Sequence, residues 1–325
     1  MRILIVTSEW PTADNSTAGI HIFNQVECLR QAGLDVEVFS FRGKANPLLY
    51  ALAIVRLRRV YRTKPVDVIH AHHGQAGLVA LAHWKRPFVV TFHGSDLQGV
   101  VSRTGRYTMT GHVLRILSRF VGLLADEVVV VSEHMIRGLP RRPSHVIPTG
   151  VDLQLFYPMP QIGARNTLGL PIGQRLVLFG GNPENPIKRY ELARHAVEQL
   201  DRSLDTKLII ANGISHNLMP LYMNACDTLL VTSLHEGSPR AVREALACNL
   251  PVVSVDVGDI RQRIGHVEGC VLCPDDLVSS ITAGLARVLE DRRRVDGLQE
   301  VIHLDERLLV QKVIKVYESA LENHT

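Results

Sequence analysis

The sequence predicts two doubly wound α/β domains, each built on a parallel sheet with helices on both faces. The 325 residues are many for one hydrophobic core and suit two domains of about 150 residues. Short β-branched runs alternate with segments of helical period, as in parallel sheets that are covered on both sides. The alternation occurs twice, and a stretch rich in proline and glycine, 157–173, separates the two series as the best candidate for a linker.

The first series opens with the apolar run 3–6, which predicts a strand. This run is too short for a signal sequence, and polar residues follow it at once. No apolar run reaches the ~18–20 residues that span a bilayer, so we expect a cytoplasmic protein. Gly33 suits the C-terminal end of the first helix. The predicted strands are 3–6, 36–41, 66–69, 88–92 and 128–131, and the helices between them include 20–31, 47–61 and 106–124.

The second series repeats the same alternation after the predicted linker. We therefore expect a first domain over 1–158 and a second over 159–325. The predicted strands are 176–179, 207–211, 228–231, 252–255 and 269–272, and the helices include 190–200, 277–290 and a last one near 306–322.

Charge is divided unevenly between the two domains. Residues 1–155 carry a balance of +7 and the remainder −3, within a total of +4. Much of the excess lies in the region 56–64, where basic residues follow the apolar run LLYALAIV. A basic amphipathic helix of this kind suits peripheral attachment to the inner face of an anionic membrane, and a solvated helix face fits the same residues. Nucleic acid is not an expected partner, because aromatic residues make up only 5% of the chain and no aromatic-and-basic platform accompanies the charge.

Cysteine and histidine patterns do not predict a metal site. Five irregularly placed cysteines do not make a disulfide framework. The pair Cys270 and Cys273 lacks a second ligand pair at zinc spacing. His70, His72 and His73 end a predicted strand, where we expect them to line a binding cleft rather than to hold a metal.

Two glutamates eight residues apart mark a candidate binding turn. Glu236 lies in the segment EGSP after the strand 228–231, and Glu244 lies in the helix that follows. Ser238 suits the N-cap of that helix and Pro239 its first position. Carboxylates beside the amide groups of a helix N-terminus can accept hydrogen bonds from sugar hydroxyls next to a bound anion. Two solvated surface glutamates are the alternative.

A second segment, FGGNPENPIKR, has the features of a phosphate site. Gly180 and Gly181 follow the strand 176–179 and allow an anion to approach the backbone closely. Lys188 leads into a helix and adds a cation to the positive end of the helix dipole. For Lys188 taken alone, a surface lysine is the alternative.

These motifs, in this order over essentially the whole chain, resemble the family 4 glycosyltransferases of the GT-B fold. The resemblance is carried by MRILIVTSEWP, TFHGSD, IPTGVD, the Lys188 segment, ACD and LHEGSPRAVREALACNLPVV. The run NGISHNLMPLYMNACDTLLVTSLHEGSP is similar to members that build cell-surface polysaccharides of the teichuronic or capsular kind.

The resemblance implies retaining transfer of a sugar from a UDP- or GDP-linked donor to a hydroxyl of a glycan or a lipid-linked glycan. It implies two Rossmann-like domains facing an interdomain cleft, with the acceptor side on the first and the nucleotide sugar on the second. It also implies that the final helix packs back onto the first domain.

The resemblance assigns site residues as well. His93 would contact the transferred sugar and, with Glu236, is a catalytic candidate. The donor diphosphate would be bound by Gly19, Gly181, Asn182 and Lys188, although the family usually has an arginine where Asn182 stands; Arg189 or another cation could compensate. The donor sugar and nucleotide would be bound by Glu236, Gly237, Ser238, Pro239 and Glu244, with Glu244 on the ribose.

We expect neither a metal nor a cofactor. No Asp-x-Asp occurs in the chain, whereas enzymes that hold diphosphate through Mg²⁺ or Mn²⁺ need clustered carboxylates. Lys188, helix N-termini and backbone amides would stabilise the leaving diphosphate instead.

Two alternatives from other classes remain. Asn182 at the usual arginine position is compatible with a catalytically silent sugar-nucleotide-binding subunit of a polysaccharide-assembly complex. An epimerase or a phosphorylase on a similar scaffold is the other, but a phosphorylase would need a pyridoxal-binding lysine and usually a much longer chain.

Overall fold

The computed structural model describes residues 1–13, 15, 17–43, 46–61, 64–83, 85–102, 106–139 and 145–324. They form two compact units, each with its own parallel sheet, which confirms the predicted α/β class. Among the described residues, the first unit comprises Met1–Ser102, Arg106–Gly150 and Glu306–Thr325, and the second contains Val151–Asp305. The chain thus enters the second unit after residue 150, where the sequence placed the boundary at 158.

The strands of both units are short. They are β1 (Arg2–Thr7), β2 (Asp35–Ser40), β3 (Val68–His72), β4 (Phe88–Phe92), β5 (Glu127–Val130), β6 (His145–Val146), β7 (Arg175–Phe179), β8 (Thr206–Ile210), β9 (Thr228–Val231), β10 (Val252–Ser254) and β11 (Val271–Leu272). The first sheet has the order β2-β1-β3-β4-β5-β6 and the second β11-β10-β9-β7-β8. Strands β3, β4, β5 and β9 are buried along their whole length, because helices cover both faces of each sheet.

The helices connect these strands. They are α1 (Ile20–Gln31), α2 (Pro47–Tyr61), α3 (Gly74–Ala80), α4 (Ser95–Gln98), α5 (Met109–Leu124), α6 (Gln161–Leu168), α7 (Tyr190–Glu198), α8 (Met219–Ala225), α9 (Arg240–Ala247), α10 (Ile260–Ile264), α11 (Val278–Asp291), α12 (Gly297–Val301) and α13 (Glu306–Asn323).

Strand order decides which face of the first sheet each helix covers. The connections β2–β3, β3–β4 and β4–β5 all run in one direction across the sheet. The connection β1–β2 runs in the opposite direction. Because such connections are right-handed, α2, α3 and α5 cover one face and α1 covers the other. Helix α3 contacts both α2 and α5, and α13 packs against α1.

Helix α13 is part of the core of the first unit. Its side chains Leu309, Val313, Val316 and Tyr317 are buried. The Tyr317 hydroxyl hydrogen-bonds Nδ1 of His70 at 2.8 Å. The C-terminal end of the chain therefore completes a unit that begins at the N-terminus.

The predicted linker 157–173 is wrong, because it contains α6 and belongs to the second unit. Pro160 is the N-cap of α6, and Gly169 ends the helix in the left-handed conformation. Arg165 is buried and ties the segment down through Ala225 O (2.8 Å) and Asp227 Oδ2 (2.8 Å). Proline and glycine here mark the two ends of a helix, not a flexible connection.

Most predicted elements lie within two residues of those observed, with a few informative exceptions. Helix α5 begins at Met109 rather than 106, because the Thr108 side chain accepts a hydrogen bond from the amide of Gly111 and caps the helix. Helix α3 was not predicted; its sequence GQAGLVA contains two glycines, which lower helix propensity. Strand β6 has two residues, too few for a recognisable pattern.

Within the described residues, no helix is both long enough and apolar enough to cross a membrane.

Candidate functional site

The second unit brings together two of the predicted charged residues. Lys188 and Glu236 follow β7 and β9, which are adjacent parallel strands whose carboxyl ends share one edge of the sheet. There Lys188 Nζ donates a hydrogen bond to Glu236 Oε1 at 2.5 Å. Both residues line a concavity of about 300 Å³ that also includes Gly180 and Pro239. A lysine and a carboxylate at this edge can bind an anion and a hydroxyl side by side.

Small residues support this pair. A Cβ on Gly181 would lie 3.2 Å from Lys188 Cγ, so the glycine lets the lysine stem lie against the backbone. Ser233 Oγ donates a second hydrogen bond to Glu236 Oε1 at 2.7 Å. Gly258 has a φ of +62°, and its Cβ would lie 3.0 Å from the carbonyl oxygen of Gly237. Gly258 was not predicted as a site residue, although it ends the run PVVSVDVG (251–258) that follows the two glutamates.

Asn182 and Arg189 have structural partners in this unit. The Asn182 side-chain oxygen accepts the amide N–H of Glu184 at 2.9 Å, which forms the turn after β7. Arg189 donates to the carbonyls of Thr232 (2.6 Å) and Ser233 (3.3 Å) and to Asp276 Oδ2 (2.5 Å). Arg189 therefore fastens its own segment to the end of β9, and its guanidinium is occupied by these three partners.

The predicted capping of α9 is wrong. The helix begins at Arg240, Pro239 is its N-cap, and no side chain caps it. Ser238 instead interacts with a buried side chain: its Oγ accepts a hydrogen bond from Arg243 and donates to Asp259 Oδ2 at 2.6 Å. Burial lowers the pKa of Arg243 to about 10, and a buried guanidinium needs such oxygen partners. The Ser238 hydroxyl therefore bonds the Arg243 and Asp259 side chains and does not cap α9.

Glu244 is buried on α9 beside an arginine and a histidine. Arg240 Nε lies 2.9 Å from Glu244 Oε1, and His216 Nδ1 lies 3.9 Å from the same oxygen. Its side chain is only 5% exposed, so the alternative of a solvated surface glutamate does not hold at this position.

The first unit holds His93 among other histidines. His93 follows β4, and its Nε2 lies 3.0 Å from Nδ1 of His72 at the end of β3. The ring of His21 from α1 is 4.7 Å from the His93 ring, centroid to centroid. His21, His72 and His93 line a concavity of about 490 Å³ with Thr91 and Thr149. His72 Nε2 is buried without a hydrogen-bond partner among the described residues, which leaves it available to a ligand hydroxyl.

Charge within this histidine cluster is concentrated on His73. His73 Nδ1 lies 3.5 Å from Asp96 Oδ2, and its Nε2 lies 3.7 Å from Glu9 Oε2. Burial alone would lower the pKa of His73, but the two carboxylates outweigh it and raise the pKa to about 10. The His73 imidazolium in turn lowers the pKa of Glu9 to about 2. For His93, burial first and then the charge on His73 hold the pKa well below its ordinary value. His93 is therefore a neutral imidazole beside a fixed cation.

This charge state bears on metal binding. Ring nitrogens of His21, His73 and His93 lie within 4.8 Å of one another in the described part of the chain. A histidine must be neutral to ligate a metal, whereas His73 is held as a cation between two carboxylates. A metal at this group would have to displace the proton that Glu9 and Asp96 hold on His73.

His70 and Gly19 have clear structural roles. His70 is completely buried between Tyr317 and Thr91, so the expectation that it lines a binding cleft is wrong for this residue. Gly19 has a φ of +61°, and its Cβ would lie 2.4 Å from the carbonyl oxygen of Glu9. No larger residue fits at Gly19 without moving the loop that carries Glu9.

Sequence reasoning missed Glu9 and His21 and understated His73. Glu9 follows β1 and His73 follows β3, which are paired strands, so their position at a common sheet edge was a usable signal. His21 lies in the first turn of α1. Its approach to His93 depends on the path of the loop before α1, which no pattern in the sequence specifies.

Sequence comparisons match both halves of the chain to glycosyltransferases. The family model "Glycosyltransferase Family 4" matches residues 18–155, and "Glycosyl transferases group 1" matches 160–291. The putative teichuronic acid biosynthesis glycosyltransferase TuaC of Bacillus subtilis is 25% identical in a gapped alignment of 347 positions, which covers 84% of this chain and 86% of that protein. A D-inositol 3-phosphate glycosyltransferase of Thermobispora bispora is 26% identical, over 83% of this chain and 74% of that protein.

Solved structures share the fold over nearly the whole chain. Sucrose-phosphate synthase from Thermosynechococcus elongatus has a TM-score of 0.81 at 19% identity and covers 98% of both chains. Anabaena HepE in complex with UDP-glucose has a TM-score of 0.71 at 18% identity, over 98% of this chain and 100% of that chain. The two family models together span most of both units, and the chain belongs to the family 4 glycosyltransferases of the GT-B fold.

Proposed function

We propose that this glycosyltransferase moves a hexose, with retention of configuration and without a metal, from a nucleoside diphosphate to a hydroxyl acceptor. The observation that carries the proposal is the Lys188–Glu236 pair at the common edge of β7 and β9. Its lysine supplies the positive charge that a diphosphate needs, and its carboxylate accepts hydrogen bonds from sugar hydroxyls. Binding of the donor would separate the two side chains and give each a ligand partner.

The reaction has a simple balance. The bond between the anomeric carbon and the phosphate oxygen breaks, and the acceptor oxygen forms its bond on the same face of the sugar. The acceptor proton passes to the departing phosphate oxygen, while Lys188 and backbone amides stabilise the charge on that diphosphate. Glu236 orients the donor sugar. Glu244 binds the ribose after its ion pair with Arg240 has opened. His93, neutral at physiological pH, donates or accepts a hydrogen bond at the transferred sugar.

The substrate class is also a proposal. The name of TuaC concerns teichuronic acid biosynthesis, and the HepE structure contains UDP-glucose. The UDP-glucose of the HepE structure supports a nucleotide-linked sugar, UDP- or GDP-linked, as donor. The TuaC name supports a glycan or lipid-linked glycan of a cell-surface polysaccharide as acceptor.

Peripheral contact of region 56–64 with an anionic membrane is part of the same proposal. Arg56, Arg58 and Arg59 are exposed on α2, a helix without acidic residues. Arg62, which the sequence analysis included in this region, lies outside the described residues.

A donor panel tests the enzymatic proposal. Purified chain is incubated with UDP- and GDP-sugars and EDTA, and released nucleoside diphosphate is measured with and without glycan acceptors. We expect turnover with one donor class, unaffected by EDTA, and a product whose anomeric configuration by NMR matches that of the donor. An inverted product would rule out retention, and loss of turnover in EDTA would rule out metal independence.

A catalytically silent sugar-nucleotide-binding subunit is the second candidate. It is favoured by Asn182, whose side-chain oxygen forms a turn, and by Arg189, whose donors already have partners. This candidate predicts nucleotide-sugar binding by calorimetry without any release of nucleoside diphosphate, including slow hydrolysis of the donor.

A further inference from the structure

Helix α5 packs against the rest of the first unit through its small residues. The residues that it buries are small or medium, chiefly Gly111, Ser118 and Gly122. A Cβ on Gly74 of α3 would lie 2.0 Å from Ser118 Oγ, so α3 and α5 are in very close contact. The large apolar residues of α5 lie on the opposite side and are 49–79% exposed: Met109, Val113, Ile116, Phe120, Leu123 and Leu124.

These exposed residues form one stripe along the whole helix. Their spacings of three and four residues place them on a single face. Scattered exposed apolar residues are ordinary, but a contiguous apolar face that runs the length of a helix marks an interaction surface.

Helix α2 presents a shorter stripe on the same side of the sheet. Leu48, Leu52 and Val55 are 72%, 58% and 64% exposed, again at helical spacing. Because α2, α3 and α5 cover one face of the sheet and α3 lies between the other two, both stripes belong to the outer side of one layer. The surface formed by α2 and α5 is called the α2–α5 face below.

The charges of the α2–α5 face have one sign. Neither helix contains an aspartate or a glutamate. The exposed charged residues of the two helices are all arginines: Arg56, Arg58, Arg59 and Arg119. Arg115 of α5 is only partly exposed, and its Nε is buried. Large apolar side chains bordered by arginines, without acidic residues, are the composition of helices that lie in the interface of an anionic bilayer.

We propose that the α2–α5 face docks the protein on an anionic lipid surface, with the apolar stripe of α5 buried at the boundary of headgroups and acyl chains. This face extends beyond the basic region 56–64, because the inserted helix, α5, lies in a different part of the chain. Docking deepens the proposed function, since a lipid-linked acceptor lies at such a surface, although its evidence does not depend on transferase activity.

Vesicle flotation of the full chain tests the proposal. The probes are vesicles of phosphatidylcholine with phosphatidylglycerol in equal parts, and vesicles of phosphatidylcholine alone. We expect binding to the mixed vesicles, part of which persists at about 0.5 M salt, where screening removes most of the charge contribution. The double variant Ile116→Asn/Phe120→Asn is expected to bind at least about tenfold more weakly, because it removes two inserted side chains.

Matched variants separate insertion from general effects. Ile172→Asn/Leu277→Asn changes two residues of the second unit that are 57% and 60% exposed, and it should bind like the unaltered chain. Arg56→Gln/Arg59→Gln should weaken binding mainly at low salt. The proposal is overturned if the unaltered chain does not bind the mixed vesicles, if the Ile116/Phe120 variant binds as well, or if that variant instead abolishes a dimer seen by ultracentrifugation.

Activity measurements distinguish a failure of membrane docking from a failure of the proposed transferase activity. Release of nucleoside diphosphate with a water-soluble acceptor should be the same for the unaltered chain and the Ile116/Phe120 variant. If no donor is turned over but vesicle binding follows the variants as expected, the proposed function fails and the docking face stands.

Discussion

At the scale of single residues, the second unit pairs a cation with a carboxylate where a substrate would separate them. The Lys188 and Glu236 side chains are 29% and 16% exposed, so the pair is partly shielded from water. Both side chains line the concavity at the edge of the sheet. Partial desolvation strengthens the interaction of Lys188 with a bound anion relative to that of a surface lysine.

Lys188→Ala is therefore expected to reduce kcat/KM for the nucleotide-sugar donor by about 10²–10³, the usual effect of losing one group that stabilises transition-state charge. Lys207→Ala is the matched control, since Lys207 is exposed on β8 in the same unit. Steady-state kinetics with the donor identified by the panel measures both variants. Equal kcat/KM for Lys188→Ala and Lys207→Ala would contradict the diphosphate role of Lys188.

In the first unit, His73 should titrate at a much higher pH than His93. The pKa of His73 is raised from 6.5 to about 10, whereas the pKa of His93 lies well below 6.5. Histidine ring NMR, assigned with His73→Gln and His93→Gln, should show His73 as an imidazolium to about pH 10 and His93 as a neutral ring above pH 6.5. Titration of His73 near pH 6.5 would show that Glu9 and Asp96 do not hold its charge.

The same shifts give stability a defined pH dependence. Since the folded pKa of His73 exceeds 6.5, its contribution to the free energy of unfolding is fully present below pH 6.5 and is lost as pH rises through about 10. Glu9 has a pKa depressed from 4.5 to about 2, so its contribution is present above pH 4.5 and lost as pH falls through about 2. His73→Gln should lack both slopes, whereas His266→Gln, an exposed control in the second unit, should keep them.

At the scale of elements, patterns along the sequence predicted the strands better than the connections. Buried strands such as β4 and β9 are apolar, β-branched runs, because their burial removes apolar surface from water. Their bounds match the prediction. The Pro/Gly-rich segment around α6 failed because composition does not distinguish a linker from a helix with a proline before it and a glycine after it. What holds α6 is long-range contact through Arg165, which no local pattern reveals.

Arg165→Ala should therefore destabilise the second unit strongly. The Arg165 side chain is 4% exposed and pairs with Asp227, and it also donates to the carbonyls of Pro171, Ile172 and Gln174. Removing one partner of a buried ion pair lowers the free energy of unfolding by about 3–5 kcal/mol. Urea unfolding followed by circular dichroism measures the change. The control is Arg194→Ala on α7, whose side chain is 38% exposed and pairs with Glu191 and Glu198 of the same helix. It should lower the free energy of unfolding by at most about 1 kcal/mol. A similarly small effect at Arg165 would mean that α6 is held by other contacts.

At the scale of the whole molecule, the first unit is discontinuous in sequence. The chain leaves it after Gly150 and returns at Glu306, and these two points are adjacent: a Cβ on Gly150 would lie 2.8 Å from the Cα of Glu306. In the second unit, the amide of Val151 donates to the carbonyl of Leu304 at 3.0 Å. The family resemblance anticipated the return of the last helix, whereas the strand and helix patterns alone placed it in the second half of the chain.

This adjacency predicts that the first unit can be made continuous. Residues 1–150 joined to 306–324 through a few glycines should fold, because the new connection closes a gap that the native chain nearly closes already. Residues 1–150 alone should not fold, because they lack the buried side chains of α13, each worth about 1.5–3 kcal/mol when fully buried, and the Tyr317 hydroxyl that bonds His70. Cooperative thermal unfolding, monitored by circular dichroism and by the near-ultraviolet signal of the buried tyrosine, should appear in the joined chain only. A cooperative transition in residues 1–150 alone would show that α13 covers the sheet without being needed to stabilise it.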